Sequence, residues 1–461
     1  MLKKIVVSLT FTCFLFLLSS CNLERKVEDT TAEFDSTNPV TICFDLDSNF
    51  DNRHYSINDY LDFKYIGAGE RESAVERLLS EMKEHNGPEN VTYDFIEGQG
   101  ETRDAALTRI RAELMAGAGP DVFVICHDQY SPNNLFKFVE KKMEENVFLS
   151  LDAYMEESQF MDVSRMNQTI LNGGKNSSGQ QMLIPLRYTF PTTVLPASKV
   201  QVDLSQTYTL NDMMQGTDLA LTSALAGWRN EEGILSDYSS ALGKKADYKK
   251  ESLSFSQEEF HEFIEGLLVF NDKVNDEKLG DIVKGVARTD LWDFRLILSD
   301  QKWGSQPVTI VPLYNRQGGL TAKIMDYAAV NRNTNNPAGA FWIVDFISGE
   351  KQMQTTDFHM YLNSQGLPIY DELMQEETML PYRKDVSTRE KDPLKYIFFK
   401  EDDWQAVTAA KNAITSVDFP TEIDLEIDLL LNKIHYSTDK TQTGVMIDNC
   451  YKKITMLLGE S

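Results

Sequence analysis

Residues 40–126 alternate short apolar runs with amphipathic stripes, and this alternation limits the possible fold more than any other feature of the chain. The segments VTICFDL (40–46), VTYDFIEG (91–98) and DVFVICH (121–127) read as strands. Between them, residues 70–85 put Val75, Leu78, Leu79 and Met82 on one helical face, and residues 102–115 do the same with Ala106, Ile110 and Leu114. Gly117 ends the second helix. Strands alternating with helices of this length predict a parallel sheet with crossover helices, an α/β architecture. Ligands of such sheets bind beyond the carboxyl ends of the strands. The third strand ends there in His127, Asp128, Gln129 and Tyr130, and the first in Asp45, Leu46 and Asp47. Carboxylates accept hydrogen bonds from sugar hydroxyls and aromatic faces cover the apolar face of a pyranose, so these strand ends suit a polyhydroxyl ligand. For Asp45 and Asp47 a solvated loop start is the alternative. Asp128 could instead sit near the start of a helix around residues 133–140.

The amino terminus reads as a targeting segment. Lys3 and Lys4 precede an apolar run over residues 5–18, too short for a comfortable membrane span. LSSC (18–21) resembles a bacterial lipobox, which makes Cys21 the lipidated first residue of the mature chain. Residues 22–39 are polar and read as a disordered tether. Removing residues 1–20 changes the formal charge from −26 to −28, which excludes nucleic acid as a partner. Of five cysteines, Cys43, Cys126 and Cys450 remain in the fold and are expected to be buried free thiols. The six histidines show no metal-ligand spacing, so neither metal nor cofactor is expected.

Farther along, DYLDFKYIG (59–67) reads as a strand or turn, and residues 210–300 as mostly helical. PVTIVPLY (307–314) and KIMDYAAVNRN (323–333) read as strands. NNPAGAFWIVDFISGEKQMQ (335–354) opens with Asn and Pro, as helices do, and places Trp342 in a core. Residues 404–458 read as largely helical. The strand–helix pattern resuming after residue 320 implies a lobe built from two separate stretches.

The segment ETRDAALTRIRAELMAGAGPDVFVICHDQY (101–130) is similar to the corresponding stretch of the extracellular solute-binding proteins of ABC importers, family 1, the maltose-binding-protein-like branch. GGKNSSGQQMLIPLRYTF (173–190), VNRNTNNPAGAFWIVDFISGEKQMQ (330–354) and NSQGLPIYDEL (363–373) resemble later family segments in the family's order. The resemblance covers roughly residues 40–458. It implies a type II two-lobe fold, each lobe a mostly parallel sheet flanked by helices, with a hinge between. Lobe 1 would comprise residues 40–187 and 320–362, and lobe 2 residues 188–319 and 363–461. It further implies a monomeric, non-enzymatic receptor that is lipid-anchored outside the cell membrane and delivers a solute to ABC permease subunits. His127–Asp128 matches an HD pair of the branch, making Asp128 the foremost polar contact. Trp292 lies 20 residues before Pro312, a spacing at which the family often places a tryptophan, and is a candidate stacking platform or a core residue. Asp45, Tyr130, Tyr188 and Trp228 complete the candidate ligand set, with Trp303 and Tyr314 weaker. Where the branch carries an acidic residue after the crossing proline, this chain has Arg187, Tyr188 and Thr189, a departure that counts against maltose itself.

Two other functions are compatible with the sequence. A secreted glycoside-processing enzyme needs two carboxylates about 5–10 Å apart across a cleft. A peptide or polyamine receptor would share the fold. No GxSxG motif is present.

Overall fold

The computed structural model describes residues 34–45, 68–96, 101–126, 134–196, 202–203, 206–215, 219–229, 233–235, 237–276, 287–290, 308–354, 366–371 and 401–460. The targeting segment, Cys21, most of the tether and residues 59–67 lie outside them.

The apolar runs near the amino terminus become strands β1 (Val40–Asp45), β2 (Val91–Ile96) and β3 (Val122–Cys126). They pair in parallel, β1 in the middle, with Ile42 opposite both Tyr93 and Val122. Helices α1 (Ala68–Glu84) and α2 (Glu101–Met115) make the crossovers, as their stripes predict. Val75, Leu78, Met82, Leu107 and Ile110 are buried on the sheet. Gly117 and Gly119, at φ of 76° and 99°, turn the chain out of α2 in a conformation that favours residues without a Cβ. Asp121 of the following GPD then ties the start of β3 to its surroundings. Its carboxylate accepts the Thr41 amide at 2.8 Å and the Thr334 hydroxyl at 2.5 Å.

Three later strands complete the first sheet: β4 (Leu183–Thr189), β10 (Leu320–Val330) and β12 (Ile414–Asp418), with the short β11 (Leu367–Pro368) at the edge. The order is β11-β4-β10-β3-β1-β2, with β12 beside the first half of β10. β10 runs antiparallel to β3 and β4 and parallel to β12. A second sheet holds β5 (Pro191–Pro196) between β8 (Ala287–Asp290) and β9 (Val308–Pro312). β6 (Ala246–Asp247) and β7 (Ser252–Leu253) form a small hairpin. Helices α3 (Val139–Glu144), α4 (Leu219–Ala226), α5 (Gln257–Asp276), α6 (Pro337–Ile347), α7 (Glu401–Asn412), α8 (Glu422–Asp428), α9 (Leu430–Tyr436) and α10 (Thr443–Glu460) account for most of the remainder.

Two hydrophobic cores result. One surrounds the first sheet and includes Phe44, Phe123, Tyr327 and Ile343; the other includes Trp228, Phe260, Ile264, Ile427 and Ile454. The chain leaves the first sheet where β4 runs through Phe190 into β5, and returns between β9 and β10. That return needs Gly318 and Gly319, at φ of 97° and 83°. A Cβ on Gly319 would lie 2.6 Å from the Ala413 carbonyl oxygen.

Several expectations are corrected. The second sheet is antiparallel in its described strands, because β5 is the direct continuation of β4 and β9 leads back through a short connection. Residues 366–371 belong with lobe 1: β11 pairs with β4, and Leu367, Ile369 and Tyr370 are buried in the first core. Val407, Ala410, Ile414 and Phe419 join the same core, so the tail is not wholly lobe 2. β12 interrupts the expected helical tail because its residues pair with the exposed flank of β10. The three cysteines of the fold are buried and free.

α6 begins where Asn and Pro predict, with the Asn336 side chain accepting the Gly339 amide at 3.0 Å. Within α6, buried Asp345 accepts the Ser158 hydroxyl at 2.6 Å and the amides of Gln159 and Met161 at 2.7 and 2.9 Å. It thereby holds residues 158–161 against α6. Asp345→Ala removes the acceptor of the buried Met161 amide and of the part-buried Ser158 and Gln159 donors, and we expect a loss of about 2–4 kcal/mol in urea-induced unfolding. A loss below about 1 kcal/mol would show that water replaces the carboxylate.

Candidate ligand-binding site

The parallel strands β1, β2 and β3 all point their carboxyl ends to one edge of the first sheet, and β4 runs the same way because β10 is antiparallel to both β3 and β4. That is the edge from which β4 crosses toward the second sheet. Asp45 ends β1 there and Cys126 ends β3. Asp128 and Tyr130 themselves lie outside the described residues, as do Trp292, Trp303 and Asp47.

Asp45 does not serve as a solvated strand end or as an available ligand contact. It is fully buried, and each carboxylate oxygen already has a donor. Arg103 Nη2 lies 2.6 Å from Oδ1, and the Leu135 amide donates to Oδ2 at 2.6 Å. Burial raises the Asp45 pKa, opposed by the attraction of Arg103. A second arginine of α2 acts on the same place: Arg111 donates from Nε to the Leu135 carbonyl at 3.0 Å and from Nη2 to the Asn134 carbonyl at 2.6 Å. Residues 134 and 135 directly follow the segment that begins at His127. Asp45 and Arg111 therefore hold residues 134 and 135, with Arg103 paired to Asp45. These arginines were not singled out in the sequence. The signal was available for Arg103, which shares the buried face of α2 with Leu107 and Ile110 at helical spacing.

Tyr188 also differs from its expected role as a cleft wall. It is fully buried in β4, its ring 6.5 Å from that of Phe190. No hydrogen-bond partner reaches its hydroxyl among the described residues. Burial holds its pKa well above the ordinary tyrosine value. Trp228 follows α4 and is buried in the second core, so it is a packing residue in this conformation. Tyr314 is buried against Tyr208, with ring centroids 5.4 Å apart. Trp342 is a core residue, as expected, stacked on Phe346 at 5.2 Å. Of the expected set, the described residues thus bring Asp45 to the candidate edge as a support, with Tyr188 buried in β4, and place Trp228 in the other lobe.

Comparison with known proteins bears on the fold. A structure of an extracellular solute-binding protein family 1 member from Alicyclobacillus acidocaldarius is 13% identical over 93% of this chain and 100% of its own, with a TM-score of 0.55. The chain has the two-lobe fold of extracellular solute-binding proteins. A periplasmic oligogalacturonide-binding protein from Yersinia enterocolitica is 13% identical over 92% of this chain and 99% of its own, TM-score 0.53. An ABC substrate-binding protein from Listeria monocytogenes in complex with cycloalternan is 14% identical over 92% and 99%, TM-score 0.50. A de novo designed cysteine esterase shares the fold with a TM-score of 0.53, so this architecture does not by itself decide the chemistry. No family model and no curated protein matches the sequence. Among the described residues no helix is long and apolar enough to cross a membrane.

Arg103→Met would strand the Asp45 charge in the protein interior. We expect a loss of about 3–5 kcal/mol in denaturant unfolding, partly recovered when Asp45→Asn is added. An unchanged midpoint in the single variant would remove Arg103 from its supporting role.

Proposed function

We propose that the chain is a lipid-anchored extracellular receptor of an ABC importer, which captures an oligosaccharide between its lobes and hands it to membrane permease subunits. The observation that carries this reading is that β3 ends at the lobe-facing edge at Cys126, immediately before the polar residues 127–130 in the sequence, while Asn134 and Leu135 are held by Arg111 and by Asp45 of the Asp45–Arg103 pair. Asp128 then accepts hydrogen bonds from sugar hydroxyls, and Tyr130 and Trp292 supply stacking faces. Proteins of the same fold that bind oligogalacturonides or cycloalternan support carbohydrate as the ligand class. Two lobes with separate cores and a chain that crosses between them suit capture by hinge closure. Lipidation at Cys21 would hold the receptor at the outer face of the cell membrane.

Titration calorimetry of the mature chain against a panel of neutral and acidic oligosaccharides tests this reading. Binding of one class is expected, weakened at least about tenfold by Asp128→Ala, in line with losing a hydrogen bond to a charged acceptor. Ligand-induced quenching of tryptophan fluorescence should be lost in Trp292→Ala with folding intact. Silence across the whole panel, together with binding of a peptide or a polyamine, would assign the site to another solute class.

A further inference from the structure

The chain passes from the first core to the second where β12 runs into α8, and four charged side chains meet at this junction. Each lobe supplies one lysine and one aspartate. From lobe 1 come Lys323 of β10 and Asp418 at the end of β12, which are register partners in those two strands. From lobe 2 come Lys245, whose neighbours Leu242 and Ala246 lie in the second core, and Asp424 of α8, flanked there by Ile423 and Ile427. Lys245 Nζ lies 2.5 Å from Asp418 Oδ2 and 2.9 Å from Asp424 Oδ1. Lys323 Nζ lies 3.2 Å from Asp424 Oδ1. The lysine of lobe 2 thus pairs with the aspartate of lobe 1, and the lysine of lobe 1 with the aspartate of lobe 2. Lys245 is only 2% exposed and Lys323 13%. Lys244–Glu140 and Lys137–Glu422, at 2.6 and 2.7 Å, lie at the rim, where both lysines are about half exposed.

The inner set is balanced and closed. Two cations meet two carboxylates, and each of the four carboxylate oxygens has a donor. Asp418 Oδ1 accepts the Phe419 amide at 3.0 Å. Asp424 Oδ2 accepts the amide and hydroxyl of Thr421 at 2.9 and 2.8 Å. These Thr421 bonds belong to the capping box that starts α8, which leaves Oδ1 of Asp424 for the two lysines. Burial works against a charged Lys245, yet the attraction of Asp418 and Asp424 outweighs it and holds the lysine above its usual 10.5. Burial likewise opposes an ionised Asp424, and Lys245 and Lys323 hold it below its usual 3.8. Both groups therefore stay charged across the neutral range. β12 also steadies a second connection between the lobes. The Thr415 hydroxyl, three residues before Asp418, donates to the Gly318 carbonyl at 2.8 Å in the turn from β9 to β10.

We propose that Lys245 and Lys323, each paired with the aspartate of the opposite lobe, rivet the two lobes at this junction, so that lobe motion turns about it and does not part it. Separating the lobes here would strand buried charges without partners or water, which is among the costliest losses a protein interior can suffer. A rotation that keeps the four side chains in contact avoids that cost. Without the rivet, the turn from β9 to β10 and the passage from β12 to α8 could bend independently. Asp424 receives a lysine from β10 and a lysine from lobe 2, so it joins the two connections into one unit. The lysines are positioning residues, which touch no solute and act through the placement of one lobe on the other. This role rests on the lobe motion required of the proposed receptor, and not on which solute is held.

Ligand-free protein therefore provides the test, separately from the calorimetric screen. Spin labels at Met115→Cys and Met456→Cys, exposed positions in α2 and α10, report the inter-lobe distance by double electron–electron resonance in the mature chain with Cys21→Ser. Cys43, Cys126 and Cys450 are buried. Lys245→Met alone leaves Asp418 without its cation and is expected to unfold at lower denaturant, or not to fold. Lys245→Met combined with Asp418→Asn keeps the charges balanced, because Asp424 retains Lys323, and should recover the midpoint. Its distance distribution should nevertheless be shifted and broader than that of the wild type. Lys323→Met leaves Lys245 serving both carboxylates, so it is expected to fold, and it too should broaden the distribution. Lys137→Ala, at the exposed rim, should leave the distribution as it is. A distribution of wild-type mean and width in either folded variant overturns the proposal, because a lysine that only stabilises the junction changes the midpoint and not the distance. Equal broadening in Lys137→Ala overturns it as well, since any loss of charge at the junction would then suffice.

Discussion

The backbone ladder of β10 holds the first lobe together. Its eleven residues pair with β4 on one flank, and on the other with β12 and then β3. Every position except Lys323 is buried. Backbone N–H and C=O groups withdrawn from water in this way must be satisfied, and only neighbouring strands are there to do it. β10 arrives after the chain has built the second sheet and returned. Nearly 200 residues therefore separate it from β3, and its pairing closes a long loop. The register is fixed by that closure: Asp326 falls opposite Cys126 and Arg187, and Ile324 opposite Tyr188. The candidate edge, the crossing at Phe190 and the seat for β12 all follow from it.

The same closure explains why charged groups end up inside the junction. Three passages of chain meet there, and each brings side chains chosen for different neighbours. Lys245 is sandwiched between Asp418 and Asp424 and its pKa is raised, because two carboxylates outweigh the desolvation that acts the other way. Asp424 is correspondingly depressed. Removing one member of such a buried set is costly, whereas the exposed pairs at its rim contribute little on their own. The junction is thus held by specific ion pairs, in contrast to the apolar packing of the two cores on either side.

Local elements were largely legible. The strands β1, β2 and β3, the stripes of α1 and α2, and the Asn–Pro start of α6 were each specified by residues close in sequence. Residues 366–371 and β12 were not. The first were expected in lobe 2 and the second within a helical tail, and only the open flanks of β4 and β10 select their pairing. The candidate site divided in the same way. The carboxyl end of β3 could be read directly, whereas Asp45 looked like a ligand contact because nothing local reveals that Arg103, 58 positions away, occupies its carboxylate.

The sequence by itself determined the α/β class, the crossover units of the first lobe, the helix caps and glycine turns, and the end of β3 at Cys126. These depend on periodicity and on backbone conformations that few residues adopt. Tertiary structure alone decided the antiparallel second sheet, the burial of Tyr188 and Trp228, the conversion of Asp45 into a support, and the meeting of Lys245 with Asp418 and Asp424. Each of those depends on which distant charge or apolar face becomes a neighbour once water is excluded, and sequence spacing does not encode that.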